Sequence, residues 1–99
     1  MDKKNLIKLK EEILFQLELK KIKAKEIKFF GSSKTIDFEN VDDIDIIIIS
    51  DDFNNKSIFT RSKMTRGIHL AMVKKFDKPF DLLYVSSNEW NENKLMIEV

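Results

Sequence analysis

The first regular pattern along the chain is helical. Over residues 4–20, apolar residues recur at spacings of three and four, and Lys and Glu occupy most of the remaining positions. This periodicity predicts an amphipathic helix whose apolar stripe packs on a sheet. The lysines between residues 20 and 25 are interpreted as a solvated helix end that complements the helix dipole. The predicted stripe consists of Leu6, Leu9, Ile13 and Leu17, widened by Ile7 and Leu14.

Three later segments have the composition of β-strands. Residues 26–30 are rich in strand formers and stop at a Gly-Ser-Ser turn, from which a short helix is predicted to start. Residues 43–50 contain four consecutive Ile residues. Because such a strand is apolar on both faces, we predict that it is central and covered on both sides. Residues 80–86 form the third predicted strand.

A second helical pattern lies between the last two strands. Over residues 57–76, apolar residues are spaced by four, which predicts one long helix. Gly67 lies inside it at a cost of about 1 kcal/mol relative to Ala. Either a backbone or a ligand therefore approaches closely there, or the helix begins later. The break at residues 77–79 ends the pattern, and Ser86 with Glu89 has the capping-box spacing that predicts a last helix to about residue 97.

The predicted order of elements, α-β-(α)-β-α-β-α, is typical of a layered α/β (α+β) protein. We therefore expect a small mixed β-sheet flanked by helices. The length of 99 residues favours one domain, 1–99, because two would each be near the lower limit for a stable core. No apolar run approaches about 20 residues, so we expect no membrane span. The polar interruptions near the start also argue against a signal peptide, and we predict a cytoplasmic protein.

Charge and residue usage restrict the chemistry. The 18 Lys and Arg residues nearly balance the 17 Asp and Glu residues, so the net charge is +1. Long nucleic acids are therefore the least favoured partners, because their binding usually needs a strong basic excess. The absence of Cys excludes disulfides and thiolate chemistry, and the single His leaves oxygen ligands for any metal.

Acidic residues stand at the start of two predicted strands. Asp43 and Asp45 alternate onto the same face of one strand, and Asp81 is the second residue of another. Neighbouring carboxylates repel each other unless a cation lies between them. If the two strands are adjacent, three carboxylates converge at one end of the sheet, an arrangement that suits Mg²⁺. The alternative is that Asp42 and Asp43 belong to a turn and that Asp81 is an exposed acid at the sheet edge.

The turn before the second strand extends this pattern into a family signature. Gly31-Ser32, ten further residues and Asp43-Ile44-Asp45, followed by the later strand acid Asp81, resemble the signature of nucleotidyltransferases of the DNA polymerase β superfamily. The resemblance covers about residues 26–86. It implies a nucleotidyltransferase-like fold and an enzyme that moves a nucleoside monophosphate from an NTP, expected to be ATP, to a hydroxyl acceptor.

The same resemblance implies a role for each matched residue. Three acids would be catalytic and would hold two Mg²⁺ or Mn²⁺ ions that bridge phosphate oxygens. The Gly-Ser turn and the two residues after it would bind the phosphates of the nucleotide. The implied metal-binding and catalytic residues are Asp43, Asp45 and Asp81, and the implied phosphate-binding residues are Gly31, Ser32, Ser33 and Lys34.

Three alternatives concern how such a chain would act. Resemblance to minimal, antitoxin-like family members implies an acceptor on a partner protein, although a small molecule or an RNA end is also open as the acceptor. We predict a homodimer or a helical protein partner that closes the site. Those members commonly follow Gly-Ser with an Arg and a second Gly, and this chain has Ser33-Lys34-Thr35-Ile36-Asp37 instead. This departure favours a non-catalytic subunit of the same fold that acts by contact, whereas the repulsion among the three acids argues against it. The third alternative is a small α/β domain with a structural Ca²⁺ or Mg²⁺ site.

Several remaining polar and aromatic residues are interpreted as structural. Arg61, Lys63 and Arg66 cluster early in the second helical pattern and are interpreted as its solvated face, with contact to a triphosphate or to an acidic partner surface as the alternative. His69 is interpreted as a structural or surface residue, and Trp90 as a packing residue.

Overall fold

A computed structural model of the chain describes the backbone of residues 3–30 and 44–97, and the side chains of residues 6–29 and 44–92. Within these ranges, four α-helices flank a three-stranded mixed sheet, which confirms the predicted α+β class. No helix in the described ranges is long and apolar enough to cross a membrane. The helices are α1 (Lys3–Leu19), α2 (Ile58–Met64), α3 (Ile68–Phe76) and α4 (Ser87–Ile97), and the strands are β1 (Glu26–Phe30), β2 (Ile44–Ser50) and β3 (Phe80–Ser86).

The isoleucine-rich strand β2 lies at the centre of the sheet, as predicted. The strand order is β1-β2-β3, with β1 antiparallel and β3 parallel to β2. Ile44, Ile46 and Ile48 belong to the main core together with residues of α1 and α3. Ile47 and Ile49 belong to a smaller cluster on the other face, together with residues of β3 and α4. Both faces of β2 are therefore covered, and β3 is left at one edge of the sheet.

Helix α1 buries a narrower stripe than the sequence predicts. Leu9, Ile13 and Leu17 are fully buried against the core. Ile7 and Leu14, which were expected to widen the stripe, are 50% and 42% exposed. They occupy the flank of the helix that points away from the core, because a helix lying on a three-stranded sheet contacts it along one line of side chains.

The prediction of one continuous helix over residues 57–76 is wrong. The structure has two helices, α2 and α3, separated by a turn over residues 65–67. Gly67 ends this turn with φ of +89°, a conformation that side chains with a Cβ rarely adopt. A Cβ at this position would meet nothing within 4 Å, so the backbone conformation and not a lack of space favours glycine. The turn lets Ile68 and Met72 of α3 enter the core.

The start of α4 has the capping box predicted from the sequence. The Ser86 N–H donates to Glu89 Oε1 at 2.9 Å, and the Glu89 N–H donates to Ser86 Oγ at 3.1 Å. Trp90 follows in the first turn and is 6% exposed, which confirms its packing role. Strand β3 thus passes directly into a helix whose first residues are held against it.

Candidate functional site

Two of the three predicted metal-binding acids are neighbours in the sheet. Asp45 of β2 and Asp81 of β3 are partners in the parallel register, near the end at which both strands begin. Asp45 is half-buried and Asp81 is exposed. Among the described residues, no group of three or more His, Asp or Glu side chains is arranged to hold a metal. The other predicted site residues lie outside the described residues: Gly31, Ser32, Ser33, Lys34 and Asp43.

A more extensive feature lies along the outer edge of the sheet. A pocket of about 490 Å³ separates β3 from α2 and from the beginning of α3. Pockets of this size occur at ligand and partner sites, where apolar walls combine with a few placed polar groups. The pocket is termed the β3 groove, and it is lined by Ile58, Arg61, Ser62, Thr65, Arg66, Gly67, His69, Leu82, Leu83 and Tyr84.

The β3 groove exposes the backbone of an edge strand. The N–H of Ile44 donates to the Pro79 carbonyl at 3.0 Å, so odd-numbered residues of this segment direct their backbone groups toward β2. Because the direction alternates along a strand, Phe80, Leu82 and Tyr84 direct their N–H and C=O groups outward, toward the groove. An edge of this kind offers hydrogen bonds to another chain.

Side chains occupy both ends of this edge. His69 Nε2 lies 2.8 Å from the Phe80 carbonyl, and this contact requires the proton on Nε2 because a carbonyl can only accept. Arg61 Nη1 donates to the Tyr84 carbonyl at 3.0 Å. Between these two contacts, the N–H and C=O of Leu82 and the N–H of Tyr84 have no hydrogen-bond partner in the described part of the chain. The open part of the edge is therefore short.

Arg61 is held in place by several groups at once. Its Nε donates to the Lys56 carbonyl at 2.9 Å, and its Nη1 lies 2.6 Å from Glu89 Oε1. Burial disfavours the ionised form of Glu89, but hydrogen bonds from Ser86 and Arg61 outweigh this effect and hold the pKa of Glu89 below its usual value. The Arg61 side chain is 12% exposed. Its interpretation as part of a solvated helix face is therefore wrong.

The wall of the groove is apolar and partly exposed. Ile58, in the first turn of α2, is 83% exposed, and Leu83 of β3 is 51% exposed. Tyr84 packs edge-on against Phe53, with ring centroids 5.6 Å apart. Burial raises the pKa of Tyr84 to about 12, against the opposing effect of its hydrogen bond with Thr65. Tyr84 is therefore a neutral hydroxyl that belongs to the packed wall.

The segment that contains the helices beside the groove carries basic residues and no acidic ones. Residues 53–76 contain no Asp or Glu. Arg66, which lines the groove, is exposed and forms no ion pair with any side chain that the structure describes. The sequence alone could have indicated this basic segment, because no acid occurs over its whole length. The net charge of +1 does not reveal it, since acids elsewhere in the chain balance these basic residues. The basic residues of this segment are Lys56, Arg61, Lys63, Arg66, Lys74 and Lys75.

Comparison with known proteins shows a likeness in fold to a solved structure. No protein-family model matches the chain, and no curated protein matches it. A solved structure that it resembles is the BolA domain of SufE1 from Arabidopsis thaliana, with a TM-score of 0.53 and 14% sequence identity. The match covers 90% of this chain and 98% of that domain. At this identity the likeness shows a shared fold.

These findings correct the nucleotidyltransferase interpretation. The fold resembles a BolA domain, and no family model supports a nucleotidyltransferase, so the assignment as a metal-dependent, antitoxin-like enzyme of that superfamily is wrong. A Gly-Ser turn followed by acids at strand starts is a short pattern of common residues, and it can arise without the associated chemistry. Binding of Mg²⁺, Mn²⁺ or an NTP, and of a second copy or a helical partner, stays a prediction.

Proposed function

We propose that the chain is a non-catalytic binding module that contacts a partner protein through the β3 groove. The observation that carries the proposal is the backbone of Leu82 on an edge strand: its outward N–H and C=O have no hydrogen-bond partner among the described residues, and they face a partly apolar pocket. Edge strands that are long and unprotected cause aggregation. Here, within the part of the chain that the structure describes, only a short stretch lies without partners between the contacts of His69 and Arg61. Such a restricted edge suits selective recognition.

The exposed side chain of Ile58 supports the same proposal. It stands at the rim of the groove with 83% of its surface exposed, and covering an Ile side chain fully contributes about 1.5–3 kcal/mol. Leu83 adds a second exposed apolar group on the strand side. Apolar groups beside a concave surface are typical of contact sites, whereas single exposed apolar residues need no explanation.

The groove is also held in shape before any partner arrives. Arg61 bridges α2, β3 and α4 through the Tyr84 carbonyl and Glu89, and His69 connects α3 to the start of β3. A rigid site loses little conformational freedom on binding, so more of the contact energy becomes affinity. The likeness to a BolA domain supports the arrangement of these elements and leaves the identity of the partner open.

The proposal is tested by cross-linking from a defined position. A photoreactive phenylalanine analogue replaces Ile58 in the groove, and in a matched protein it replaces Leu70, which is 56% exposed on α3 outside the groove. Cells of the source organism are irradiated, and proteins joined at position 58 but not at position 70 are identified. Each is then purified and titrated with the unlabelled chain.

The expected result is a purified partner that binds the wild-type chain and loses about tenfold in affinity with Ile58→Ser. Phe59→Ser is the matched control, because Phe59 is 82% exposed on the same helix and does not line the groove. A partner whose affinity falls equally with both variants, or the absence of any protein that binds after purification, would refute the proposal.

A further inference from the structure

The chemistry of the partner follows from the backbone and the charge of the groove, and this inference rests on the proposed function. We infer that the occupant is an extended, acidic peptide segment of the partner protein. It pairs with Leu82 through the backbone and places a carboxylate beside Arg66.

The extended conformation of the peptide is inferred from the backbone groups of β3 that have no hydrogen-bond partner among the described residues. Leu82 directs both its N–H and its C=O into the groove, and the N–H of Tyr84 follows on the same edge. One residue of an antiparallel segment can exchange both hydrogen bonds with Leu82. His69 and Arg61 occupy the carbonyls of Phe80 and Tyr84, so they limit the pairing to this short stretch. The occupant is therefore a brief extended segment and not a full added strand.

The charge part follows from the basic residues on the helical side of the groove. The α2–α3 helices carry basic residues without acids, and Arg66 lines the groove without an ion pair among the described side chains. Arg61 is already neutralised by Glu89, so Arg66 is the basic lining residue that is available to a partner. An acidic residue on the partner segment is attracted by the positive charge of Arg66 and of these helices, and a basic segment is repelled by it.

A peptide fits the groove better than a nucleic acid does. Single-stranded nucleic acids bind proteins through basic tracks and exposed aromatic faces on which bases stack. Tyr84, the aromatic lining residue, instead packs edge-on against Phe53. The outward N–H and C=O of Leu82 match a peptide backbone, which offers both an acceptor and a donor at each residue. Binding of an oligonucleotide is therefore an outcome of the test that would overturn the inference.

The test uses a fluorescent synthetic peptide of alternating Glu and Val residues, titrated with the purified chain and followed by anisotropy. A peptide of alternating Lys and Val is the charge control. We expect the acidic peptide to bind, added NaCl to weaken it, and the basic peptide to bind at least about tenfold more weakly. In amide hydrogen exchange, we expect the amides of Leu82 and Tyr84 to become protected by the acidic peptide.

Variants separate the two parts of the inference. Arg66→Glu should weaken binding of the acidic peptide by about three- to tenfold. Lys63→Glu, a charge reversal at another exposed residue that does not line the groove, should change it by less than about twofold. N-methylation of the central residue of the peptide removes one backbone donor and should weaken binding by about fivefold.

Several results would overturn the inference. They are equal binding of the acidic and basic peptides, equal effects of Arg66→Glu and Lys63→Glu, no effect of N-methylation, or displacement of the peptide by oligo-thymidine. The failure of the proposed function is distinguishable from these results. If a partner is cross-linked at Ile58 but its affinity does not change with Arg66→Glu or with salt, the proposed binding function stands and only the inference of an acidic peptide is refuted. If no partner is found, both are refuted.

Discussion

Arg61 is predicted to be the main polar contributor to the stability of the groove. We expect Arg61→Met to lower the free energy of unfolding by about 2–3 kcal/mol, because the substitution keeps the apolar stem and removes the guanidinium. The stem lies against Phe53, with the guanidinium carbon 5.9 Å from the ring centroid, and Met can retain much of that contact. The loss therefore reports the hydrogen bonds and the ion pair.

The magnitude follows from the surroundings of each lost contact. The bond to the Tyr84 carbonyl is partly buried and charge-assisted, so it contributes about 1.5–3 kcal/mol. The ion pair with Glu89 is short, but Glu89 is 48% exposed, and solvent screening reduces its contribution to at most about 1 kcal/mol. The Lys56 carbonyl is exposed and forms a hydrogen bond with water when Arg61 is replaced, so the loss of this contact does not change the free energy of unfolding.

Urea unfolding followed by far-UV circular dichroism measures the effect. For a domain of this length, each 1 kcal/mol corresponds to about 4–8 °C in melting temperature, so thermal scans provide a second readout. Lys63→Met is the matched control, because Lys63 is an exposed basic residue of the same helix, and we expect it to lie within about 0.5 kcal/mol of wild type. An Arg61→Met protein as stable as the Lys63→Met protein would refute the bridging role.

The pH dependence gives an independent check on the pair. The pKa of Glu89 in the folded chain lies below its usual value of 4.5, so the unfolded state binds the proton more readily. The stability that Glu89 contributes is therefore present above that pH and is lost as the pH falls through the folded-state pKa. The difference between wild type and Arg61→Met should narrow at acid pH. A difference that stays constant from neutral to strongly acid pH would contradict the assignment.

Three further predictions concern the scaffold, each measured by urea unfolding. Ile13→Ala should cost about 2–5 kcal/mol because Ile13 is fully buried, whereas Leu14→Ala, at a 42% exposed position, should cost far less, and equal losses would contradict the packing of α1. Gly67→Ala should cost about 1–2 kcal/mol through the positive φ alone, so an unchanged stability would show that the turn can rearrange. Ser50→Ala should cost about 1–3 kcal/mol, because the buried hydroxyl donates to the Lys23 carbonyl at 2.6 Å and accepts from the Asp52 N–H. Ser57→Ala, at an exposed helix cap, should cost less. A larger loss for Ser57→Ala than for Ser50→Ala would be inconsistent with these contacts.

Local patterns in the sequence predicted most of the elements correctly. The spacing of Leu9, Ile13 and Leu17 defines α1, and the run of Ile residues identifies β2 as the central strand, because these signals depend only on the repeat of a helix or a strand. The capping box of Ser86 and Glu89 is likewise local, since both of its hydrogen bonds join residues three positions apart. Such signals need no knowledge of how the elements are arranged.

The candidate site depends on contacts that join distant parts of the chain. Arg61 reaches the Tyr84 carbonyl across 23 positions, and it can do so because β3 is an edge strand beside α2. Nothing in the residues around Arg61 indicates that order of strands. The resemblance drawn from Gly31-Ser32 and Asp43-Ile44-Asp45 was wrong for a related reason, because a short spacing of common residues does not determine the chemistry around it.

The sequence by itself determined most of the elements, the central strand and the basic character of residues 53–76, since periodicity and charge are properties of the chain alone, whereas the division of residues 57–76 into two helices came from the structure. Only the tertiary structure decided which strand lies at the edge, that Arg61 and His69 hold carbonyls of that strand, and that the outward N–H and C=O of Leu82 have no partner among the described residues. The physical reason is that hydrogen bonds at a sheet edge depend on strand order and register. Both are set by packing among residues far apart in the chain.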